Sequence, residues 1–348
     1  MSARFEVDLA RFAADLRRIR AVVAPAQHLL VVKDDAYGHG LAQVVARAVH
    51  EGVAWFGTFD VATALAVRGV SGPGPRIVAW TVYDDAEIDT ALDAGIDLGL
   101  GTHELIVRAG RRARARGARA RVHLKIDTGL HRNGIRPEEW PAAVDSALDA
   151  QRAGVLEVAG VWSHIAEASD AEDDAARAAF LRGLEQFDPA RTGAPAPLRH
   201  LAASAAAFAR PEFRFDLVRI GAFAYGIRPA GGPLDAALGI APIGTLYGTV
   251  TRVEAEAVVL DLGALDGLDS RLAGLVPVGT PAGERELVEV GDTFSRVAAW
   301  PGARVGDDVA VLGGRAPLSA TDVAERLDTI GEEVVLRVSP RLPRTYLG

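Results

Sequence analysis

The sequence predicts an α/β protein in which a TIM-type (β/α)8 barrel is followed by a smaller all-β domain. Up to about residue 228, short apolar runs alternate with longer amphipathic stretches, as in repeated β/α units. A segment rich in Pro and Gly follows at 228–238, and beyond it β-branched runs are separated by turns. We therefore expect the barrel over residues 1–230 and the β domain over residues 231–348.

The barrel prediction depends on eight apolar runs, most of which are apolar on both faces, as buried parallel strands are. They are 29–32, 53–58, 76–81, 96–100, 121–126, 156–162, 198–202 and 216–220. Amphipathic segments such as 86–94 and 173–187 predict helices between them. The alternative is an open doubly wound sheet. Its G-x-G-x-x-G motif is missing after the first strand, which favours the closed barrel.

The remaining segments receive structural interpretations. In the β domain the runs 249–253, 257–262, 287–290 and 334–338 predict strands. The arginine-rich stretch 108–121 reads as a solvated helix face that ends at Gly117, rather than as an anion-binding patch. The acidic stretch 169–174 reads as an N-cap followed by carboxylates of the first helical turn, rather than as a metal site.

Composition excludes several classes of protein. With 46 acidic and 38 basic residues the net charge is −8, which argues against a nucleic-acid binder. The chain has no cysteine, so disulfides, thiolate metal sites and cysteine nucleophiles are excluded. Residues 1–8 lack the features of a signal peptide, and no run approaches the roughly 18 apolar residues of a membrane span. We expect a cytoplasmic protein with no membrane partner.

Lysine is rare in this chain: of 38 basic residues, only Lys33 and Lys125 are lysines. A guanidinium cannot replace an amine that must form an imine with a carbonyl cofactor, so any such role falls on one of these two residues. Lys33 ends the first barrel strand, where TIM-type enzymes hold catalytic groups. Its four apolar predecessors predict partial desolvation, which lowers the pKa of an amine. The alternative is a lysine that merely solvates a strand end.

Other candidates follow later strands of the barrel. Ser204 follows strand seven and Gly221 follows strand eight, where such barrels often bind phosphate. His164 lies near the end of strand six and Arg219 near the end of strand eight, so both side chains are candidates for the same rim. Isolated residues of these types are more often structural, so neither is decisive alone.

Six segments, in order, resemble motifs of the alanine racemase family, whose members are fold-type III pyridoxal-phosphate enzymes. They read V-V-K-D-D-A-Y-G-H-G at 31–40, H-L-K-I-D-T-G-L-H-R-N-G at 123–134, W-S-H-I-A at 162–166, H-L-A-A-S-A at 200–205, V-R-I-G-A-F-A-Y-G at 218–226 and R-L-P-R-T-Y at 341–346. The resemblance implies pyridoxal 5'-phosphate as the cofactor. It also implies that Lys33 forms the internal aldimine and is one of two acid/base groups.

The resemblance implies roles for further residues. Those around the cofactor phosphate would be Tyr37, Ser204, Gly221, Ala222 and Tyr346. Arg219 would face the pyridine nitrogen with support from His164, and Arg132 would bind near the phenolic oxygen and the substrate carboxylate. Lys125 falls where some members carry a carbamylated lysine. The expected catalytic set is Lys33, Arg132 and His164.

The sequence also departs from the family pattern. The family's second base is a tyrosine that the partner subunit's β domain supplies, and Thr280 of V-P-V-G-T-P-A-G stands at its position. An aliphatic hydroxyl is a far weaker acid than a phenol. Four other segments also depart from the family pattern. They are Asp34–Asp35 after Lys33, His131 where the family has a glycine, Ala203 before Ser204, and Ala299 and Trp300 near the position of the substrate carboxylate.

Three functions remain open at this stage. The first is an amino-acid racemase that interconverts L- and D-forms of a small amino acid through an external aldimine, its second base absent, relocated to His131 or replaced by water. The second is one-base chemistry such as decarboxylation, β-elimination or retro-aldol cleavage. The third is a pyridoxal-phosphate-binding paralogue without turnover. Because the family builds each site from a barrel and a partner's β domain, the resemblance implies a homodimer.

Overall fold

The computed structural model describes residues 2–189 and 194–348, which form two compact units. Among these residues, one unit consists of 20–33, 48–189 and 194–221, and the other of 2–19, 34–47 and 222–348. The predicted division at residue 230 stays a prediction.

The described strands run β1 (Arg4–Asp8), β2 (Gln27–Val31), β3 (Trp55–Thr58), β4 (Arg76–Ala79), β5 (Asp97–Leu100), β6 (Ala120–Lys125), β7 (Leu156–Trp162), β8 (Leu198–His200), β9 (Leu217–Ile220), β10 (Gly244–Val253), β11 (Ala257–Leu260), β12 (Pro277–Thr280), β13 (Gly283–Val290), β14 (Ser295–Ala298), β15 (Asp308–Gly313) and β16 (Arg344–Leu347). The helices are α1 (Leu9–Val23), α2 (Leu41–His50), α3 (Val61–Ser71), α4 (Asp85–Asp93), α5 (His103–Ala115), α6 (Trp140–Arg152), α7 (Asp170–Leu184), α8 (Ser204–Ala209), α9 (Asp235–Leu238), α10 (Ala320–Leu327) and α11 (Gly331–Leu336).

The unit that begins at residue 20 is a parallel barrel, hereafter the barrel unit. Its sheet runs β9-β2-β3-β4-β5-β6-β7-β8, and neighbouring strands pair in parallel. Backbone hydrogen bonds from Asp216 N to Arg199 O (3.1 Å) and from Arg219 N to Ala202 O (3.1 Å) close β9 onto β8. Each strand overlaps one of the eight predicted runs, so the predicted TIM-type barrel is confirmed.

The outer face of the barrel unit confirms both structural interpretations of the charged stretches. On α5, arginines pair with aspartates of α4, as in the ion pairs of Arg108 with Asp85 and of Arg112 with Asp89. Helix α7 begins after Ser169, whose side chain accepts a hydrogen bond from the backbone N–H of Glu172. These charges stabilise helix surfaces and helix ends.

Small residues make room for polar side chains inside the barrel. A Cβ added at Gly160 on β7 would overlap the ring of His123 on β6. Trp162 on β7 stacks on His200 of β8, with ring centroids 5.7 Å apart and planes 1° apart. The barrel interior is therefore packed around buried imidazoles as well as around apolar side chains.

The other unit carries an antiparallel sheet, hereafter the β unit. Among its described strands, β10, β11, β14, β13, β12 and β15 follow one another by pairing, and β15 returns to β10. The smaller β domain that the sequence predicts is thereby confirmed. Strand β1, which the sequence did not predict, pairs antiparallel with β10 and parallel with β16.

One predicted strand of the β unit is wrong. The run 334–338 was expected to be a strand because of its β-branched residues, but residues 331–336 form helix α11. Gly331, Val334, Val335 and Val338 are buried. These positions are i, i+3, i+4 and i+7, which lie on one helix face, and this tertiary burial overrides the β propensity of valine.

Candidate active site

Lys33 lies at the carboxyl end of the barrel strands. Strand β2 ends at Val31, and the backbone N–H of Val32 still donates to Gly57 O at 2.9 Å, so the chain leaves the sheet at Lys33. This is the end of the strand at which TIM-type barrels place catalytic groups. The sequence-predicted position of Lys33 is therefore the position that the structure gives it.

Positive charges of the barrel unit converge on His164. Burial lowers the pKa of His164 to about 2, and the charges of Arg219, Arg132, Lys125 and Lys33 act in the same direction. An imidazole in these surroundings stays neutral at physiological pH. Both lysines of the chain and two arginines thus contribute positive charge at one neutral histidine, which suits the binding of an anionic ligand.

Lys125 is buried among aromatic and cationic groups. Its Nζ lies 4.8 Å from the centre of the Trp162 ring. Burial, reinforced by the positive charges of Arg219 and Arg132, lowers the pKa of Lys125 to about 8. A substantial fraction of this amine is therefore neutral near physiological pH.

Arg219 is a buried guanidinium that backbone carbonyls hold in place. Its Nη2 donates to Ser163 O (2.7 Å), Leu201 O (3.0 Å) and His164 Nδ1 (3.1 Å), and its Nη1 donates to His200 O (3.0 Å). Burial lowers the pKa of Arg219 to about 9. Within the described part of the chain these bonds use only Nη1 and Nη2, so the Nε–H is the donor left for a ligand.

Arg132 lies in the loop after β6, where it is exposed. Asp127 shapes this loop by accepting hydrogen bonds from Gly129 N (3.0 Å) and His131 N (3.1 Å). The ring of His131 pairs with the same carboxylate through Nδ1 at 2.9 Å and is 81% exposed. The loop therefore presents Arg132 on a fixed turn while His131 faces solvent beside Asp127.

Ser204 and Gly221 follow the last two barrel strands. Ser204 is the first residue of α8, whose N-cap Ala203 makes no side-chain cap. Gly221 is buried and directly follows β9. Ala222, the next residue, begins a short 3₁₀ turn of the β unit, Ala222–Tyr225.

In the β unit a left-handed turn follows the lysine. Asp34, Asp35, Ala36 and Tyr37 all have φ between 52° and 55°. Non-glycine residues rarely adopt this conformation, so the turn is strained. The buried Tyr37 ring lies 4.8 Å from the Tyr225 ring, a contact that holds the turn in place.

Gly40 and Tyr346 pack against each other at the end of this segment. Gly40 has φ 92°, and a Cβ added there would overlap the hydroxyl of Tyr346. A glycine is therefore required both by the backbone and by the close approach of the phenol. The structure thus gives Tyr37 and Tyr346 defined places within the β unit.

Thr280, at the position of the family's tyrosine, is engaged in its own hairpin. Its Oγ1 donates to Gly283 O at 2.6 Å and accepts from Ala282 N at 3.2 Å. The hydroxyl therefore closes the turn between β12 and β13. Trp300, another departure from the family pattern, is buried in the β unit.

Sequence reasoning missed a second layer of polar residues behind Arg219. His200, His123 and Asp97 are fully or almost fully buried, and hydrogen bonds connect them. His200 and His123 lay within the motifs quoted above without a role. Strand alternation could have indicated a role for His123, because His123 and Lys125 are two residues apart on one strand and so share a face.

The described residues form neither a metal-binding cluster nor a membrane-spanning helix. Residues 2–189 and 194–348 contain no group of three or more His, Asp or Glu side chains that could hold a metal ion. Over the same ranges, every helix is too short or too polar to cross a bilayer.

Comparison with known sequences identifies relatives along the whole chain. Residues 7–229 match the family described as "Alanine racemase, N-terminal domain". The alanine racemase of Beutenbergia cavernae is 36% identical over 384 aligned residues, which cover 99% of this chain and 98% of that protein. The alanine racemase of Thermobifida fusca is also 36% identical, over 99% of this chain and 98% of its own length.

Solved structures agree with this result. The alanine racemase of Streptomyces coelicolor superposes with a TM-score of 0.93 at 30% identity, covering 100% of this chain and 98% of that chain. A more distant structure, an alanine racemase from Bartonella henselae with covalently bound pyridoxal phosphate, shares the fold with a TM-score of 0.86 at 22% identity and covers 99% of both chains. The family match over most of the barrel and the full-length similarity together show that the chain belongs to the alanine racemase family.

Proposed function

We propose that this chain is a pyridoxal-phosphate-dependent amino-acid racemase, which interconverts the L- and D-forms of a small amino acid by moving the Cα proton. Full-length similarity to alanine racemases supports the reaction. The observation that carries the assignment of residues is the convergence of Lys33, Lys125, Arg132 and Arg219 on His164. Lys33 and Lys125 are the only lysines in the sequence, and both contribute to the positive charge at His164.

The side chains proposed for this site fit pyridoxal phosphate chemically. Lys33 supplies the primary amine with which the coenzyme's aldehyde reacts. The Arg219 guanidinium keeps its proton, so a ring nitrogen that accepts from its Nε–H stays unprotonated. In the β unit, the close approach of Tyr346 to Gly40 leaves no room for a side chain at that glycine. When bound, pyridoxal phosphate withdraws electrons from the substrate and so makes its Cα proton acidic.

The roles of the remaining residues follow from the family motifs. We propose that Arg132 binds the substrate carboxylate through its planar pair of donors. Neutral His164 accepts from Arg219 and so fixes the orientation of the guanidinium. The residues proposed to hold the phosphate are Tyr37, Ser204, Gly221, Ala222 and Tyr346. Their hydroxyl groups and backbone N–H groups are the donors that a phosphate requires.

Proton transfer on the second face of the substrate needs a group other than Thr280. Lys33 removes or returns the Cα proton on its own face. The Thr280 hydroxyl is held by Gly283 and Ala282, and an aliphatic hydroxyl is a poor acid. We propose that His131 or an ordered water serves the second face, and Asp127 beside His131 would assist proton exchange there.

The loss of the tyrosine also favours a second candidate function. Decarboxylation, β-elimination and retro-aldol cleavage require a base on one face only, which Lys33 supplies. Ala299 and Trp300, which depart from the family pattern near the substrate carboxylate, are consistent with a differently shaped substrate pocket. A paralogue that binds the coenzyme without turnover is the remaining alternative.

The assembly and compartment of the protein are further proposals. We propose a homodimer in the cytoplasm, on the strength of the family's construction of each site from a barrel and a partner's β domain. No nucleic-acid partner is proposed because the net charge is −8.

Chiral chromatography of purified protein tests these functions. With pyridoxal phosphate in heavy water, a racemase converts each alanine enantiomer into the other and incorporates deuterium at Cα. The matched control is Lys33→Arg, which keeps the positive charge but cannot form an imine, and it should be inactive.

Other outcomes discriminate among the candidates. Deuterium incorporation with full retention of configuration supports one-base chemistry. A lysine-dependent chromophore without conversion of any amino acid in a panel supports the paralogue without turnover. Full activity of the His131→Ala variant would exclude His131 as the second base.

A further inference from the structure

A chain of buried side chains runs through the barrel from Arg219. Arg219 Nη1 lies 3.4 Å from His200 Nδ1, His200 Nε2 lies 3.0 Å from His123 Nδ1, and His123 Nε2 lies 3.3 Å from Asp97 Oδ2. None of these four residues is more than 5% exposed. The four residues are hereafter called the relay.

The far end of the relay lies where the barrel strands begin. Asp97 is the first residue of β5, and Arg76, the first residue of β4, donates to both Asp97 oxygens through Nη2 at 2.7 and 2.8 Å. Arg121 adds an ion pair, with Nε 3.4 Å from Asp97 Oδ1. Arg219 lies near the end of β9, so the relay extends from the amino-terminal side of the strands toward the side where Lys33 lies.

The hydrogen bonds of the relay have only one consistent direction. A guanidinium only donates, and a carboxylate between two arginines only accepts. Arg219 therefore donates to His200, His200 donates through Nε2–H to His123, and His123 donates through Nε2–H to Asp97. Each imidazole then carries one proton, and a second proton on either ring would place two N–H groups face to face. Burial and the positive charge of Arg219 also lower the pKa of His200 well below its ordinary value.

Packing prevents the two rings from leaving this arrangement. Trp162 stacks on His200, and Arg219 Cζ lies 5.0 Å from the centre of the same indole. Trp55 packs edge-on against His123, and the absent side chain of Gly160 leaves the space that the His123 ring occupies. The rings therefore cannot turn over to exchange donors for acceptors without disturbing the barrel core.

We propose that His200, His123 and Asp97 are positioning residues, whose one-way hydrogen bonds hold the Arg219 guanidinium in the orientation that directs its Nε–H toward the coenzyme ring. The role assigned to the coenzyme rests on the proposed function, whereas the protonation and direction of the relay do not. Asp97, at the opposite end of the strands from Lys33, thereby influences the reaction through two histidines. Removal of the Asp97 carboxylate should therefore change the orientation of the Arg219 guanidinium.

Replacement of Asp97 by asparagine reverses the relay. In Asp97→Asn the amide oxygen, at the Oδ1 position, would keep the contacts with Arg76 and Arg121. The amide NH₂, at the Oδ2 position, would face His123 and would lose the second hydrogen bond from Arg76. His123 would then accept at Nε2 and donate from Nδ1, His200 would do the same, and its Nδ1–H would oppose the Arg219 Nη1–H. We expect the contact between His200 and Arg219 to break in this variant.

Nitrogen-15 NMR of the histidine rings in the coenzyme-free protein tests the direction. In the wild type both His200 and His123 should carry the proton on Nε2 and leave Nδ1 without one. In Asp97→Asn the proton should move to Nδ1 in both rings. The control is His28→Leu, which removes a buried barrel histidine outside the relay and should leave both rings unchanged.

Binding of the coenzyme gives an independent measurement. Asp97→Asn should weaken pyridoxal phosphate binding by roughly ten-fold, as expected for the loss of a hydrogen bond to a charged group, whereas His28→Leu should not. If Asp97→Asn does not fold, the wild-type ring protonation still decides. Wild-type rings that carry the proton on Nδ1 would overturn the proposal even if racemisation is confirmed. Failure of racemisation with the expected ring protonation would instead count against the proposed function.

Discussion

His28 is a buried histidine whose replacement by leucine should stabilise the protein. It lies on β2 and is 7% exposed, and both ring nitrogens lack a hydrogen-bond partner among the described residues. The backbone of Ile220 approaches the ring without hydrogen-bond geometry. Burial, reinforced by the positive charge of Arg20, lowers the pKa of His28 to about 3. A leucine of similar volume removes the unpaired polar atoms.

The size of this effect depends on pH. At about pH 7.5 we expect His28→Leu to raise the free energy of unfolding by about 1–3 kcal/mol, the cost of an unpaired buried polar group. The histidine binds a proton below about pH 6.5 in the unfolded chain but only near pH 3 in the folded chain. The wild type therefore loses stability as the pH falls from 6.5 toward 3. At about pH 5 the advantage of leucine should grow by about 2 kcal/mol.

Urea denaturation at the two pH values measures this difference. Tryptophan fluorescence and circular dichroism of the coenzyme-free protein give the midpoint for each variant. The matched control is His50→Leu, at an exposed histidine of α2, which should change the free energy of unfolding by less than about 0.5 kcal/mol. A His28→Leu variant that is less stable than the wild type, or whose advantage is the same at both pH values, would refute the reasoning.

Three further predictions concern single positions. Asp328 is exposed and caps the carboxyl end of α10 with φ 55°. Because glycine adopts this conformation without strain, Asp328→Gly should raise the free energy of unfolding by about 0.5–1 kcal/mol. An unchanged midpoint of thermal unfolding would contradict this. Thr280→Val should destabilise the β unit by about 0.5–1.5 kcal/mol, because the lost hydroxyl donates a hydrogen bond within its own hairpin. Turnover should stay unchanged, and a large loss of turnover would make Thr280 a catalytic candidate again. Gly40→Ala should lower the free energy of unfolding by more than about 2 kcal/mol, because φ is 92° and the methyl group would overlap Tyr346. It should also weaken coenzyme binding, and normal coenzyme affinity would contradict the role of Tyr346 at the phosphate.

The barrel was predictable because its signal is local. Each buried parallel strand is a short apolar run bounded by turn residues, and such a run can be recognised without its neighbours. Strand β1 alternates polar and apolar residues over Arg4–Asp8, but its partners β10 and β16 lie far along the chain. The helix α11 was misread because two of its six residues are valines, and only burial of its apolar face shows the helical spacing.

The site was predictable in part for a related reason. Lys33 and Lys125 stand out by rarity, and the motifs carry Arg219 and His164. The relay is different, because Asp97, His123 and His200 come from three strands, and only closure of the barrel brings them into contact. The left-handed turn after Lys33 was also beyond prediction, since its residues carry side chains that normally avoid positive φ.

The most direct test of the central claim is the identification of the lysine that carries the coenzyme. Purified protein is loaded with pyridoxal phosphate, reduced with borohydride, digested and mapped by mass spectrometry. The label should lie on Lys33, and the Lys33→Arg variant should carry none. A label on Lys125, or no covalent label in the wild type, would contradict the account.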